Sequence, residues 1–116
     1  MNHKELDAWK ISMEFVTEIY ELTKTFPKEE IYGLTSQIRR SAVSVPSNLA
    51  EGCSRYSDKD TSKFLYNAIA SASELETQLI IATNLGYTKC HSELIEKITR
   101  IQKLILGMLK YLKNKE

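Results

Sequence analysis

Gln37, Ser41, Ser44, Asn48, Glu51 and Arg55 follow one another at steps of four, three, four, three and four residues. On a helix that spacing draws one continuous polar stripe. Side chains of these types bond to one another, to a neighbouring helix or to a ligand. A second run, Asn67, Ser71, Glu74 and Gln78, repeats the pattern further along the chain. Polar groups beside a core are costly unless paired, so both runs demand partners. Three readings stand open. One is an internal network joining the runs, with Arg40 or Arg55 against Glu74. A second is a subunit interface built from Gln37, Ser41, Ser44, Asn48, Glu51 and Glu74. The third is a ligand pocket.

Basic residues suggest phosphate chemistry. Arg39 and Arg40 are adjacent, which on a helix turns them roughly 100° apart. Arg55, Lys59 and Lys63 carry basic character across a turn that also holds Tyr56. These five are the candidate nucleic-acid-binding residues. Charge alternates along the chain. Residues 1–25 sum to −2, residues 26–30 to −1, residues 31–56 to +2, residues 57–86 to −2 and residues 87–116 to +4. One account is attraction between neighbouring helices. The other is a basic surface repeated around a ring of subunits, since phosphate affinity grows steeply with the number of contacts.

Tests for catalysis find no support. A carboxylate-bridged di-iron bundle needs Glu-x-x-His pairs, and the chain has none. His3 and His91 fall outside the expected helix cores and read as solvated. Glu74 and Glu76 diverge by roughly 200° on a helix, so they do not act as paired acid and base. P-loop, dinucleotide, zincin and nucleophile-elbow signatures are absent. The chain is expected to be a non-enzyme without metal or cofactor.

Four segments position these residues. The first spans about Leu6 to Thr25, with Leu6, Trp9, Met13, Val16 and Tyr20 as the leading stripe and Phe15, Ile19, Leu22 and Phe26 widening it. Pro27 stops it. The second runs from Gly33 or Leu34 to about Tyr56, striped by Leu34, Ile38, Ala42, Val45, Leu49 and Cys53. Pro46 removes a donor in its middle, so a kink is expected there. The third covers Asp58 to Leu85, opened by Ser57 with Asp60 in a capping-box arrangement and closed by Gly86. The fourth runs from about Ser92 to Lys113, with Leu94, Ile98, Ile101, Ile105, Met108 and Leu112 facing inward. Short connections make successive helices antiparallel. The expected fold is all-α, one up-down-up-down four-helix bundle over residues 1–116.

Composition agrees with this reading. The chain has 116 residues, 42% hydrophobic and 27% charged, with net charge +1. That is a single globular domain. Four Gly and two Pro are too few for an all-β fold. Cys53 and Cys90 lie far apart, are expected to be reduced, and point to the cytoplasm. No apolar run is long enough for a membrane span.

The run Tyr32 to Arg55, YGLTSQIRRSAVSVPSNLAEGCSR, resembles a known signature. It is similar to that of small bacterial four-helix bundle proteins first met as intervening-sequence proteins, encoded within insertions in 23S ribosomal RNA genes. FLYNAIASASELETQL from Phe64, LGY from Leu85, Trp9, Tyr20 and Phe26-Pro27 extend the likeness. Cys53 departs from it, where an aromatic is the family's residue. The resemblance implies a homopentameric ring. It also implies kinship with the accessory variability determinant of diversity-generating retroelements, a pentameric barrel that binds a reverse transcriptase and nucleic acid. Arg39, Arg40 and Arg55 match motif positions suited to RNA contact or to structural pairing. The expectation is a homo-oligomer, pentameric by this resemblance, that binds RNA or a ribonucleoprotein. The alternative is a protein-binding adaptor without nucleic acid.

Overall fold

The computed structural model describes residues 1–89 and 92–115, so the proposals for Cys90 and His91 lie outside the described residues. Four helices follow in chain order: α1 Asp7–Thr23, α2 Leu34–Cys53, α3 Asp58–Asn84 and α4 Ser92–Asn114. Two short 3-10 turns, His3–Glu5 and Lys28–Glu30, were not foreseen. Each helix packs on its sequence neighbours, and α1 closes the ring onto α4. Among the described residues no diagonal pair of helices brings its Cα atoms within 8 Å. The result is an elongated four-helix bundle, 48 × 24 × 19 Å.

The helix ends follow local chemistry. Ser57 Oγ accepts the Asp60 N–H at 3.1 Å, capping α3 as its sequence announces. Gly86 takes φ +80°, the left-handed turn that ends α3. Helix α2 stops at Cys53, short of Tyr56. Ser54 there turns its hydroxyl back onto the Glu51 carbonyl at 2.8 Å. That places Arg55 and Tyr56 in the connection. Pro46 is buried within a helix that continues on both sides of it.

Ile19, Ile38, Leu49, Leu65, Ile98 and Ile105 form the fully buried centre. Each such side chain contributes about 1.5–3 kcal/mol through burial. Helix α1 corrects the sequence reading. Its buried face is Ala8, Ser12, Phe15, Ile19 and Thr23. The leading stripe lies to one side: Trp9 and Val16 are half-buried, while Met13 is 44% exposed and Tyr20 is exposed too, whereas Phe15, Ile19 and Phe26, which widen it, are buried. Ser12 and Thr23 tolerate the core because their hydroxyls bond the carbonyls of Ala8 (2.6 Å) and Ile19 (2.8 Å). In α4 the buried residue of the penultimate turn is Leu109, with Met108 beside it half-buried.

Antiparallel register is fixed by polar pairs. Ser41 meets Glu74, Ser44 meets Ser71, and Gly52 meets Thr61 across α2 and α3. Across α3 and α4, Ser73 meets Gln102 and Asp58 meets Lys115. Gly52 lets α2 and α3 approach closely. A Cβ there would lie 3.1 Å from Phe64 Cβ and 3.3 Å from the Thr61 carbonyl.

Candidate functional site

The polar ladder of α2 divides into two parts. Its middle faces α3. Ser41 Oγ donates to Glu74 Oε1 at 3.1 Å, and Gln78 Nε2 donates to the same oxygen at 3.3 Å. The Ser44 and Ser71 hydroxyls share a bond of 2.8 Å. Asn48 Nδ2 donates to the Ser44 carbonyl at 2.8 Å and to its hydroxyl at 2.9 Å. These bonds form because both helices carry small polar residues at matching steps. Gln37, Arg40, Ser41, Ser44, Ser71 and Glu74 line an open cleft of about 520 Å³.

The far end of the ladder does not join. Glu51 is exposed and reaches Arg55 at 3.5 Å, at the opposite end of α2 from Glu74's partners. The expected pairing of Arg55 with Glu74 is therefore not formed. Arg40 borders the same cleft as Glu74, yet makes no ion pair among the described residues. Deep beside the cleft network, Gln78 is 6% exposed and its Oε1 has no partner among the described residues.

The five candidate cations do not form one surface. Arg39 turns toward α1, where Nε donates to Thr23 Oγ1 at 2.8 Å and the guanidinium lies 4.6 Å from the Tyr20 ring centre. Arg55 lies over Phe64 at 4.5 Å. Residues 40 and 55 sit roughly 20 Å apart along the helical rise.

Lys59 and Lys63 instead join residues that sequence reasoning did not single out as a site. Lys59, Lys63 and Tyr66 stand at steps of four and three on α3, which places them on one face. Leu106, Lys110 and Lys113 repeat that spacing on α4. With the register set by Asp58–Lys115 and Ser73–Gln102, Lys59 lies across from Lys113 and Lys63 across from Lys110. Tyr66 lies across from Leu106, one turn further in. Together with Ser62, Leu109 and Leu112 they line an open groove of about 710 Å³. Tyr66 is 61% exposed and Leu106 52%. Among the described residues, Lys59, Lys110 and Lys113 make no ion pair, and Lys63 meets Asp60 only at 3.8 Å. The signal was present in the +4 charge of residues 87–116, but its pairing with α3 requires the fold.

Other polar features hold the bundle together. Tyr87 donates to Glu30 Oε2 at 2.7 Å, and Glu30 Oε1 accepts the Leu34 N–H at 3.2 Å. The Tyr87 bond, with the Leu34 bond behind it, holds the Glu30 carboxyl below its ordinary value. The same contact pushes the Tyr87 phenol up. Burial raises the Cys53 thiol. His3, expected to be solvated, stands half-buried with its ring edge-on to Trp9 at 5.2 Å. No group of three His, Cys, Asp or Glu gathers in metal-binding proximity among the described residues. No helix among them is long and apolar enough to cross a membrane.

Comparison with known proteins agrees with this architecture. No curated protein matches the chain. A crystal structure from Bacteroides thetaiotaomicron, described as a protein with unknown function from the S23 ribosomal protein family, superposes with a TM-score of 0.77. It is 27% identical, and the match covers 89% of this chain and 98% of that one. The family model for 23S rRNA-intervening sequence proteins matches residues 4–107. With its bundle, its α2 signature and a match over most of its length, the chain belongs to the 23S rRNA-intervening sequence protein family.

Proposed function

We propose that this protein is a non-enzymatic helical scaffold of the cytoplasm that assembles with copies of itself and holds RNA or a ribonucleoprotein. The observation that carries the reading is the lysine-lined groove between α3 and α4. Lys59, Lys63, Lys110 and Lys113 converge there from two helices, and three of them lack an acidic partner among the described residues. Clustered unpaired ammonium groups bind phosphates by releasing counterions. Four phosphate contacts to a single strand correspond to a slope of about −3 in log affinity against log salt.

Assembly into a pentamer is the number implied by the family resemblance. Exposed Tyr32, Val43, Ile80, Ile81 and Leu85 support burial against further copies. A ring repeats the groove once per subunit and multiplies the phosphate contacts. Arg39 and Arg55 serve packing in this reading, and Arg40 remains available at the cleft.

The test is fluorescence anisotropy of a structured RNA at several salt concentrations, alongside sedimentation of the free protein. Binding that weakens steeply with salt, and weakens further in Lys59→Gln/Lys113→Gln, supports the proposal. Absence of binding at low salt by the assembled wild type overturns it. A protein-binding adaptor is the second reading. The polar cleft favours it, because unpaired Arg40 beside Glu74 suits a polypeptide carrying both charges.

A further inference from the structure

We infer that the α3–α4 groove selects single-stranded RNA, with its lysines on the phosphates and an unpaired base stacked on Tyr66. This rests on the RNA reading above and names the class of RNA. The groove is not uniformly basic. Its outer part holds two facing lysine pairs, Lys59 with Lys113 and Lys63 with Lys110. The pairs are separated by one helical turn, roughly 6 Å. The next turn inward replaces charge with Tyr66 and Leu106.

A purely phosphate-binding surface has no use for that apolar turn. Tyr66 leaves most of its surface in water at 61% exposure. Its ring makes no aromatic or cation contact, and its hydroxyl no hydrogen bond, among the described residues. Leu106, across from it, is exposed to a similar degree. Nothing in the bundle's own packing accounts for a free aromatic ring beside a free leucine. An unpaired base covers both: it stacks on the ring and lays its edge on the leucine.

A duplex does not. Its bases are stacked on one another and its outer surface is phosphate and ribose. Single-strand binders combine cations that follow the backbone with aromatic rings that take the bases. The order of this groove, two lysine pairs and then tyrosine, suits a strand that lies along the helices and turns one base inward. An acidic amphipathic peptide is the competing occupant. It would satisfy the lysines and the leucines, but it gives the tyrosine ring no stacking partner.

The experiment measures anisotropy at several salt concentrations, affinities being compared at the lowest, with four labelled probes. These are an oligouridine strand of about eight nucleotides, an RNA duplex of equal phosphate number, an abasic ribose-phosphate strand of equal length, and an acidic amphipathic peptide. Wild type, Tyr66→Ala, Tyr66→Phe and Lys59→Gln/Lys113→Gln are compared. Tyr66 is exposed, so its replacement leaves the bundle intact, which circular dichroism checks.

The expected result is at least tenfold tighter binding of the single strand than of the duplex or the abasic strand. Tyr66→Ala loses about tenfold or more on the single strand, consistent with the loss of one stacked base. Its salt slope is unchanged, and Tyr66→Phe keeps wild-type affinity. The double lysine variant reduces the slope by about 1.4. Equal binding of strand, duplex and abasic probe, insensitive to Tyr66→Ala but weakened by the lysine variant, overturns base stacking and leaves the phosphate reading standing. No binding of any RNA overturns both. Tighter binding of the peptide than of every RNA also overturns both and assigns the groove to a protein partner.

Discussion

Arg39 Nε donates to Thr23 Oγ1 at 2.8 Å, tying α2 to the last turn of α1. Thr23 in turn donates its hydroxyl to the Ile19 carbonyl. The guanidinium also covers the Tyr20 ring. Removing this side chain leaves a buried hydroxyl with one bond fewer and a tyrosine face bare. Arg39→Ala is expected to destabilise the bundle by about 2 kcal/mol, from one charge-assisted bond and one cation–π contact. Arg40→Ala should change stability by less than about 0.5 kcal/mol, as surface replacements do. Urea denaturation of the two variants checks the contrast, and equal losses would contradict it.

The Ser44–Ser71 bond joins α2 to α3 at the centre of the polar network. Ser44→Ala leaves the Ser71 hydroxyl without its partner, and Ser71→Ala leaves the Ser44 hydroxyl bonded to Asn48 alone. Each is expected to cost about 1 kcal/mol. The double replacement should cost little more than the worse single one, because neither hydroxyl is then left unpaired. A double-mutant cycle by chemical denaturation reads this coupling. Strict additivity would show that the bond contributes nothing.

Tyr87 and Glu30 link the α3–α4 connection to the turn before α2. The folded state holds Glu30 below its ordinary 4.5, so this contribution is complete above that pH and fades as pH falls through the lowered value. Tyr87 is raised above its ordinary 10.0, so its contribution is complete below that pH and fades as pH rises through the raised value. Tyr87→Phe should therefore reduce the loss of thermal stability on acidification below about pH 4.5. An NMR titration of Glu30 should move back toward the ordinary value in the same variant. An unchanged Glu30 titration would count against the bond.

Gly52 sits where α2 and α3 approach closely, and Thr61 Oγ1 donates to its carbonyl at 2.8 Å. Alanine raises helix propensity by about 0.5–1 kcal/mol. The new methyl, however, meets a backbone carbonyl and a Cβ, neither of which is the free end of a flexible chain. Overpacking of this kind costs about 1–3 kcal/mol. Gly52→Ala is expected to lower stability by about 1 kcal/mol net, measured by thermal or urea unfolding. A stabilised variant would mean that the helices separate without strain.

Much of the architecture is legible in local residues. Ser57 and Gly86 mark helix ends through their own dihedral preferences and hydrogen bonds, which depend on a few neighbours, whereas α1 ends at Thr23, four residues before Pro27. The stripes of α2 and α4 are buried apart from half-buried Cys53 and Met108, because an apolar residue recurs at each inward turn. The α2 ladder is visible as a period, and the α3 run beside it announces the partner helix. Arg55 was harder to place, because the chain leaves the helix at Ser54 and carries it toward Glu51 and Phe64.

By itself, then, the sequence determined the number of helices, their limits to within a few residues and most of their inward faces. Tertiary structure decided the rest. In α1 it turned Ser12 and Thr23 inward and Met13 and Tyr20 outward. Small hydroxyl residues can satisfy themselves on the preceding turn, whereas a stripe count scores them as polar. It also brought Lys59 and Lys63 to Lys110 and Lys113. Those pairs lie far apart along the chain, and their meeting is set by the antiparallel register of α3 and α4. Periodicity within one helix carries no information about that register; packing between two helices does.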